Sequence, residues 1–214
     1  MNDNTASGFP DFFSAAPTIT VRDPLAAFLG AARDGVIEYT YADVVKLAGH
    51  SCPTVAGAYL MTRAALAALY PGQLPERGGV RVEMPQGAHE GVSGVMGNVI
   101  GMLTGAAGEG GFHGIGGRFD RRELIAYGAA VPQVRFTRLD TGASVTVETH
   151  AELVPGDPRL RELMPRCLSG RASADEAAQF GALWQERVRR LLTQHADDPG
   201  VFALRRQPAP AAAD

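Results

Sequence analysis

A histidine and a cysteine stand two residues apart in the segment Gly49-His50-Ser51-Cys52-Pro53. Proline is well tolerated at the first position of a helix, so Pro53 marks the start of an Ala-rich helix that we predict to end near Tyr70. The free N–H groups at a helix N-terminus carry partial positive charge and favour a thiolate. Thiolate and imidazole together suit zinc, iron, nickel or copper and do not suit calcium or magnesium. The segment therefore predicts a transition-metal site or a reactive thiol.

Two further histidines are candidates for the same chemistry. His113 stands in Gly110-Gly111-Phe112-His113-Gly114-Ile115-Gly116-Gly117, where glycines on both sides permit close approach to a ligand. It is either a metal ligand or acid/base group on this loop, or a surface histidine. His89, beside Glu90, is either half of a ligand pair or part of a polar helix start. The loop lacks the Lys-Ser/Thr ending of a nucleotide-binding loop, so the glycines do not indicate a phosphate cradle of that kind.

Composition restricts the classes of function. The chain has 214 residues, of which 45% are hydrophobic and 20% charged, as in a globular protein with a real core. A formal net charge of −3 argues against a nucleic-acid partner. We find no apolar run long enough to cross a membrane and no signal peptide, so we expect a cytoplasmic protein. The two cysteines, Cys52 and Cys167, do not form a disulfide framework.

The apolar pattern predicts the elements that must position these groups. Asp23-Pro24 indicates the start of an amphipathic helix that ends near Gly35. Alternation predicts a short strand from residue 37, and a hairpin over residues 133–139 and 144–149. Further helices are predicted over residues 42–47, 157–168 and 173–194, the last beginning with a capping box. Between the first elements and the hairpin, a strand is predicted from Val80.

Glycines recur with a helical period between these elements. They stand at positions 87, 91, 94, 97, 101, 105 and 108, always three or four apart. Each glycine inside a helix costs about 0.5–1 kcal/mol relative to alanine, so close approach of another element should compensate. We predict a buried helix over residues 91–103, packed tightly against the Ala-rich helix, and a glycine-rich loop over residues 105–117.

Two motifs resemble a known family. The segment Tyr41-Ala42-Asp43-Val44-Val45-Lys46-Leu47-Ala48-Gly49-His50-Ser51-Cys52-Pro53 resembles the His-Gly-His-x-Cys-Pro-Gly opening of the FmdE family, which is named after a component of formylmethanofuran dehydrogenase. Met102-Leu103-Thr104-Gly105 and Gly108-Glu109-Gly110-Gly111 resemble a second landmark, a helix that ends in Leu-Thr-Gly before a glycine-rich loop. The resemblance covers about residues 36–150. It implies an α+β core that commonly dimerises and binds a divalent metal, often zinc.

The chain departs from the family pattern at three positions. The first motif histidine corresponds to Ala48, the glycine after the proline corresponds to Thr54, and an acidic residue of the second helix corresponds to Asn98. Some relatives carry a C-terminal zinc finger, but this chain has one cysteine and one histidine after residue 150, too few for a four-ligand site. We expect His113 and His89 to replace the missing ligands.

The sequence thus predicts an FmdE-like α+β core of packed helices and an antiparallel sheet over residues 9–155. A C-terminal helical extension over residues 156–206 and a disordered tail over residues 207–214 follow. We assign candidate residues to three roles: metal ligands (His50, Cys52, His113 and His89), catalytic groups (Cys52 and His113), and cofactor contacts (Asn98, Gly110, Gly111 and Phe112).

Several functions are compatible with these residues. The first is a homodimeric metal- or cofactor-binding protein with zinc, or else iron or nickel, that acts on a small molecule as a metal-dependent or redox enzyme. The second is a protein that binds haem non-covalently through the thiolate or an imidazole. The third is a metal-free enzyme with Cys52 as nucleophile and a histidine as base. The fourth is a non-catalytic accessory module whose C-terminal helices, with Trp184 on their apolar stripe, contact a partner.

Overall fold

A five-stranded sheet forms one layer of the protein in the computed structural model, which describes residues 8–207. Its strands are β3 (Val80–Met84), β4 (Ile125–Tyr127), β5 (Val134–Arg138), β6 (Ser144–Thr149) and β7 (Phe202–Gln207), in the order β4-β3-β5-β6-β7. Only the β3–β4 pair is parallel. Strands β1 (Ile19–Arg22) and β2 (Val36–Tyr39) form a separate antiparallel pair. The predicted hairpin is confirmed as β5 and β6.

Six α-helices accompany these strands within the described residues: α1 (Pro24–Phe28), α2 (Tyr41–Ala48), α3 (Pro53–Leu69), α4 (Ser93–Thr104), α5 (Leu160–Leu168) and α6 (Ala174–Gln194). The long helix α3 is the centre of the core, since residues 55–62 are all buried. It contacts α2, α4, α6 and the sheet strands β5, β6 and β7. The predicted α+β class with an antiparallel sheet is therefore confirmed.

The first helix is shorter than the sequence indicates. The prediction that it continues to Gly35 is wrong, because α1 ends at Phe28 and the chain turns at Gly30, where φ is +69°. Asp23 caps α1 as expected, accepting hydrogen bonds from the backbone N–H groups of Leu25 and Ala26. Phe28 remains 57% exposed, so this short helix does not present an apolar face to the core.

Two glycines of α4 lie against Tyr127 and the loop after α4, whereas the sequence predicts that they lie against α3. Helix α4 does pack against α3, but a Cβ at Gly97 would lie 1.9 Å from the Tyr127 hydroxyl. A Cβ at Gly101 would lie 2.7 Å from the carbonyl oxygen of Ala106. The close approach that requires glycine at these two positions is therefore not made by α3. They let Tyr127 and the following loop lie against the α4 backbone.

The C-terminal segment adds a strand to the sheet. Helices α5 and α6 follow the prediction, and Ser173 and Glu176 form the expected capping box of α6. The chain then continues into β7, which pairs with β6 over the whole length of both strands and which the sequence pattern does not predict. The expected tail begins at Gln207, the last residue of β7; residues 208–214 lie outside the described residues. None of the helices described here is long and apolar enough to span a membrane.

Candidate functional site

The turn between α2 and α3 carries the His50/Cys52 pair. Helix α2 ends at Gly49, whose φ of +74° is readily adopted only by glycine and reverses the chain. Cys52 is the N-cap of α3, and Pro53 occupies the first helical position as predicted. Both candidate donors therefore lie within one four-residue turn that two helix termini fix at either side.

His50 is oriented by the backbone. Its Nδ1 lies 2.9 Å from the carbonyl oxygen of Ala48, and the side chain is exposed. A carbonyl oxygen only accepts hydrogen bonds, so Nδ1 carries the proton and the neutral ring keeps its lone pair on Nε2. Metal-bound histidines commonly use one ring nitrogen in this way, which fixes the tautomer and directs the other nitrogen towards the metal.

Cys52 lies at the positive end of the α3 dipole. Its Sγ accepts a hydrogen bond of 3.4 Å from the backbone N–H of Val55, and the side chain is half-buried against the core. The sulfur thus takes the place that an Asp or Ser oxygen usually takes at a helix N-cap.

Three residues hold Ser51 between the two donors. The Trp184 indole and the Gln185 amide both donate to the Ser51 carbonyl oxygen at 3.1 Å, and the Ser51 hydroxyl donates to Gln185 Oε1 at 2.9 Å. Since the Ser51 hydroxyl is already a donor, the Tyr41 hydroxyl donates to it at 3.0 Å. Burial raises the pKa of Tyr41, which keeps this donor protonated. We call Tyr41, Trp184 and Gln185 the Ser51 clamp.

The Ser51 clamp has no signal in the local sequence. Trp184 and Gln185 lie 133 and 134 residues from Ser51, and the apolar stripe of α6 indicates only packing or a partner surface for Trp184. Its indole ring packs against Phe180 in a tilted arrangement with a centroid distance of 5.7 Å, and its N–H also fixes the turn. The helix α6 is therefore part of the apparatus that positions His50 and Cys52.

The other two predicted metal ligands lie in different elements. His113 is exposed on the glycine-rich loop, with its ring stacked on Phe112 at a centroid distance of 5.6 Å. His89 is exposed in the turn before α4. Across residues 8–207, no set of three or more His, Cys, Asp or Glu side chains is placed to hold a metal ion. The described chain therefore does not gather His113 or His89 into a three-ligand site with His50 and Cys52.

A groove of about 570 Å³ lies along the glycine side of α4, and we call it the glycine groove. Its wall includes Asn98 and Phe112, two of the four predicted cofactor contacts. Gly110 and Gly111 belong to the adjoining loop and are not among its lining residues. The other residues that line it are Leu25, Arg77, Gly97, Gly101, Gly105, Ala106, Ala107, Gly108, Arg121, Ile125 and Tyr127.

Two arginines at the glycine groove share one carboxylate. Arg77 Nη1 and Arg121 Nη2 each donate to Asp23 at 2.8 Å, one to each carboxylate oxygen. Burial alone would raise the pKa of Asp23, but the hydrogen bond from Arg77 and the charges of both arginines hold it below 3.8. Asp23 also caps α1, so this ion pair ties α1 to the groove.

Comparison with known proteins identifies one family. Residues 47–199 match the family model described as FmdE, Molybdenum formylmethanofuran dehydrogenase operon. The match covers more than half of the chain and contains the His50/Cys52 turn, helix α4, the glycine-rich loop and α6. A search of curated proteins finds no match.

Proposed function

Because the chain belongs to the FmdE family, we propose that it is a transition-metal-binding protein whose ligands are His50 and Cys52, with zinc as the favoured metal. The family description refers to the molybdenum formylmethanofuran dehydrogenase operon. A fold alone does not imply a reaction, so we propose for this chain a role associated with that enzyme and not the reaction itself. The observation that carries the proposal is the orientation of His50 by the Ala48 carbonyl, two residues before a cysteine at a helix N-cap.

The donor set fits half of a zinc site. Zinc in proteins commonly takes four ligands from thiolates, imidazoles and carboxylates. His50 and Cys52 provide one imidazole and one thiolate, whereas the described residues do not bring a third such side chain to them. We propose that a second copy of the chain supplies the same pair, because two imidazoles and two thiolates complete the usual set. His50 is exposed and accessible to such a copy.

The chain's own residues determine how the two donors are presented. The Ser51 clamp fixes the peptide that joins them, and the Ala48 carbonyl fixes the ring of His50. A metal held by two such pairs would be coordinatively closed, so it would join the two chains rather than bind a substrate. The hydrogen-bond partner of Cys52 Sγ is the Val55 N–H rather than a histidine, which favours metal ligation over a metal-free Cys–His nucleophile.

Metal content and affinity test the proposal. Zinc titration of the purified chain is expected to give saturable binding that falls at least about tenfold in His50→Ala and Cys52→Ala. Cys167→Ala is the matched control, because Cys167 is also a partly exposed free cysteine but lies in α5. A chain with no bound metal and no affinity for one, or a Cys52→Ala variant that binds zinc as well as the native chain, would contradict the proposal.

The stoichiometry tests the contribution of the second copy. One zinc ion per two chains, together with a dimer that dissociates on chelation, is the expected result. One zinc ion per monomeric chain would contradict the shared site while leaving His50 and Cys52 as ligands. An optical spectrum of the same sample with a Soret band would replace the metal proposal by haem binding.

A further inference from the structure

Arg121 is a buried charge with unused hydrogen-bond donors. It is 6% exposed, and its Nε and Nη1 have no hydrogen-bond partner in the described part of the chain. Only Nη2 is engaged, by Asp23. A buried guanidinium is normally satisfied on several of its five N–H groups, so its two unpartnered nitrogens call for an explanation.

The sequence makes room for this side chain at two glycines. A Cβ at Gly78 would lie 1.5 Å from Arg121 Nη1, and a Cβ at Gly105 would lie 2.7 Å from the same atom. Gly105 is also a wall residue of the glycine groove, so Nη1 lies directly behind that wall. Any larger residue at these positions would displace the guanidinium.

The buried charges around Arg121 do not balance. Asp23 alone faces both Arg77 and Arg121, and it also accepts the N–H groups of Leu25 and Ala26. The α4 carbonyl of Met102 accepts from Arg77 Nε, and Glu76 lies near enough to influence Arg121. Glu76 is exposed, so among the buried and half-buried groups two guanidiniums share the single carboxylate of Asp23, which leaves an excess positive charge beside the glycine groove.

The groove wall combines polar groups with apolar surface. Asn98 is exposed on α4, and the Tyr127 hydroxyl makes no hydrogen bond within residues 8–207. Burial raises the pKa of Tyr127, so its hydroxyl stays protonated and can donate. Leu25, Phe112 and Ile125 supply the apolar part. The volume of about 570 Å³ lies within the range of roughly 300–1,000 Å³ that is typical of small-molecule sites.

We propose that the glycine groove binds a small organic anion, with its carboxylate or phosphate towards Arg77, Asn98 and the buried Arg121, and its apolar body against Phe112. The excess guanidinium charge attracts the anionic group, and Asn98 and Tyr127 donate hydrogen bonds to it. The site uses neither His50 nor Cys52 and so stands apart from the proposed metal site.

Calorimetric titration with phenyl phosphate, benzoate and the neutral benzyl alcohol tests the site in the full-length chain. Saturable binding of an anionic probe, and none of the alcohol, is expected. Binding of phenyl phosphate alone assigns a phosphate ligand, and binding of benzoate alone assigns a carboxylate ligand. Asn98→Asp should weaken the binding about tenfold, because it places a like charge at the anion. Gln179→Glu is the matched control, with the same change of charge on the exposed surface of α6.

The side-chain Nε–H resonances of the arginines give a second readout that does not depend on a variant. Addition of the bound probe should shift the Arg77 and Arg121 resonances and leave that of Arg63, which pairs with Asp197, unchanged. Cys52→Ala should bind the probe as the native chain does, which separates this site from the metal site. Absence of saturable binding for both anions, equal binding by Asn98→Asp, or unshifted Arg77 and Arg121 resonances would overturn the proposal.

Discussion

The His50/Cys52 turn and the glycine groove are built in opposite ways. The turn consists of consecutive residues held by hydrogen bonds of the Ser51 clamp, which involve no formal charge. The groove is assembled from segments far apart in sequence and rests on charged groups, since Asp23 and Arg121 are 98 residues apart. The turn is therefore visible in a short motif, whereas the charge imbalance of the groove becomes visible only in the folded chain.

This difference implies that the two regions respond to different changes. Removing a buried charge at the groove should destabilise the whole fold. The remaining partner is then an uncompensated buried ion, which costs more free energy than an unpaired neutral group. Removing a clamp hydrogen bond should weaken the turn with a small effect on stability. Stability should therefore fall most when Asp23 changes and least when an exposed ion pair changes.

Asp23→Asn should have the largest effect on stability. Asparagine is as good an N-cap as aspartate, so the variant keeps the cap of α1 and removes only the charge between Arg77 and Arg121. We expect a loss of about 3 kcal/mol in the free energy of unfolding, measured by urea denaturation at neutral pH. A variant within the error of the native chain would show that the two arginines do not need Asp23.

The pH dependence of stability tests whether the pKa of Asp23 is lowered in the folded protein. The pKa of Asp23 is lowered below 3.8 in the folded protein, so its contribution to stability is complete above that pH. It is lost as the pH falls through the folded pKa. The difference in unfolding free energy between the native chain and Asp23→Asn should therefore be constant at neutral pH and shrink below pH 3.8. A difference that persists at low pH would contradict this assignment.

Gly97→Ala should destabilise by about 1–3 kcal/mol, because the new Cβ overlaps the Tyr127 hydroxyl. Gly181→Ala is the matched control in α6, where a Cβ meets nothing within 4 Å. There the same change should stabilise by about 0.5–1 kcal/mol. Thermal unfolding of the two variants measures both effects. A Gly97→Ala variant as stable as Gly181→Ala would show that Tyr127 does not lie against α4.

Trp184→Phe should lower the zinc affinity of the His50/Cys52 turn while the protein remains folded. The variant keeps an aromatic ring and loses the N–H donor to the Ser51 carbonyl, for a stability loss of about 1 kcal/mol. We expect zinc affinity to fall about tenfold, because residues that orient ligands affect metal binding strongly. Phe180→Leu, which changes the aromatic neighbour of Trp184 without removing a hydrogen bond to Ser51, should leave zinc affinity unchanged. Equal affinities in both variants would show that the Ser51 clamp does not position the ligands.

Asp120→Asn should have no measurable effect on the midpoint of urea unfolding. The hydrogen bond from Arg122 holds the pKa of Asp120 at about 2, but both side chains are exposed and their attraction is screened by water. The variant removes the same charge as Asp23→Asn from a pair without burial. A loss of stability similar to that of Asp23→Asn would show that burial is not the reason for the difference.

The elements that follow from neighbouring residues are predictable from the sequence. Helices α2, α3 and α6, the β5–β6 hairpin and the capping box at Ser173 all depend on periodicity and on caps within a few residues. Two short motifs also identify the family, and the match over residues 47–199 confirms it. Local chemistry and the resemblance thus account for the fold class and for the candidate turn.

The parts that the sequence does not predict depend on contacts distant along the chain. The C-terminal strand β7 forms by pairing with the edge of β6, and the sequence of β7 alone does not indicate this pairing. The glycine period of α4 suggests the wrong neighbour, because the position of Tyr127 is set by the β3–β4 pairing. The Ser51 clamp and the Asp23–Arg121 pair join residues about 100 or more apart.

A cobalt(II) titration tests the central claim most directly, because thiolate ligation gives an intense charge-transfer absorption that other ligands do not give. We expect this band in the native chain and in Cys167→Ala, and its loss in Cys52→Ala. His50→Ala should weaken cobalt binding without adding a new band. A band that persists in Cys52→Ala, or that disappears in Cys167→Ala, would contradict the assignment of the metal to the His50/Cys52 turn.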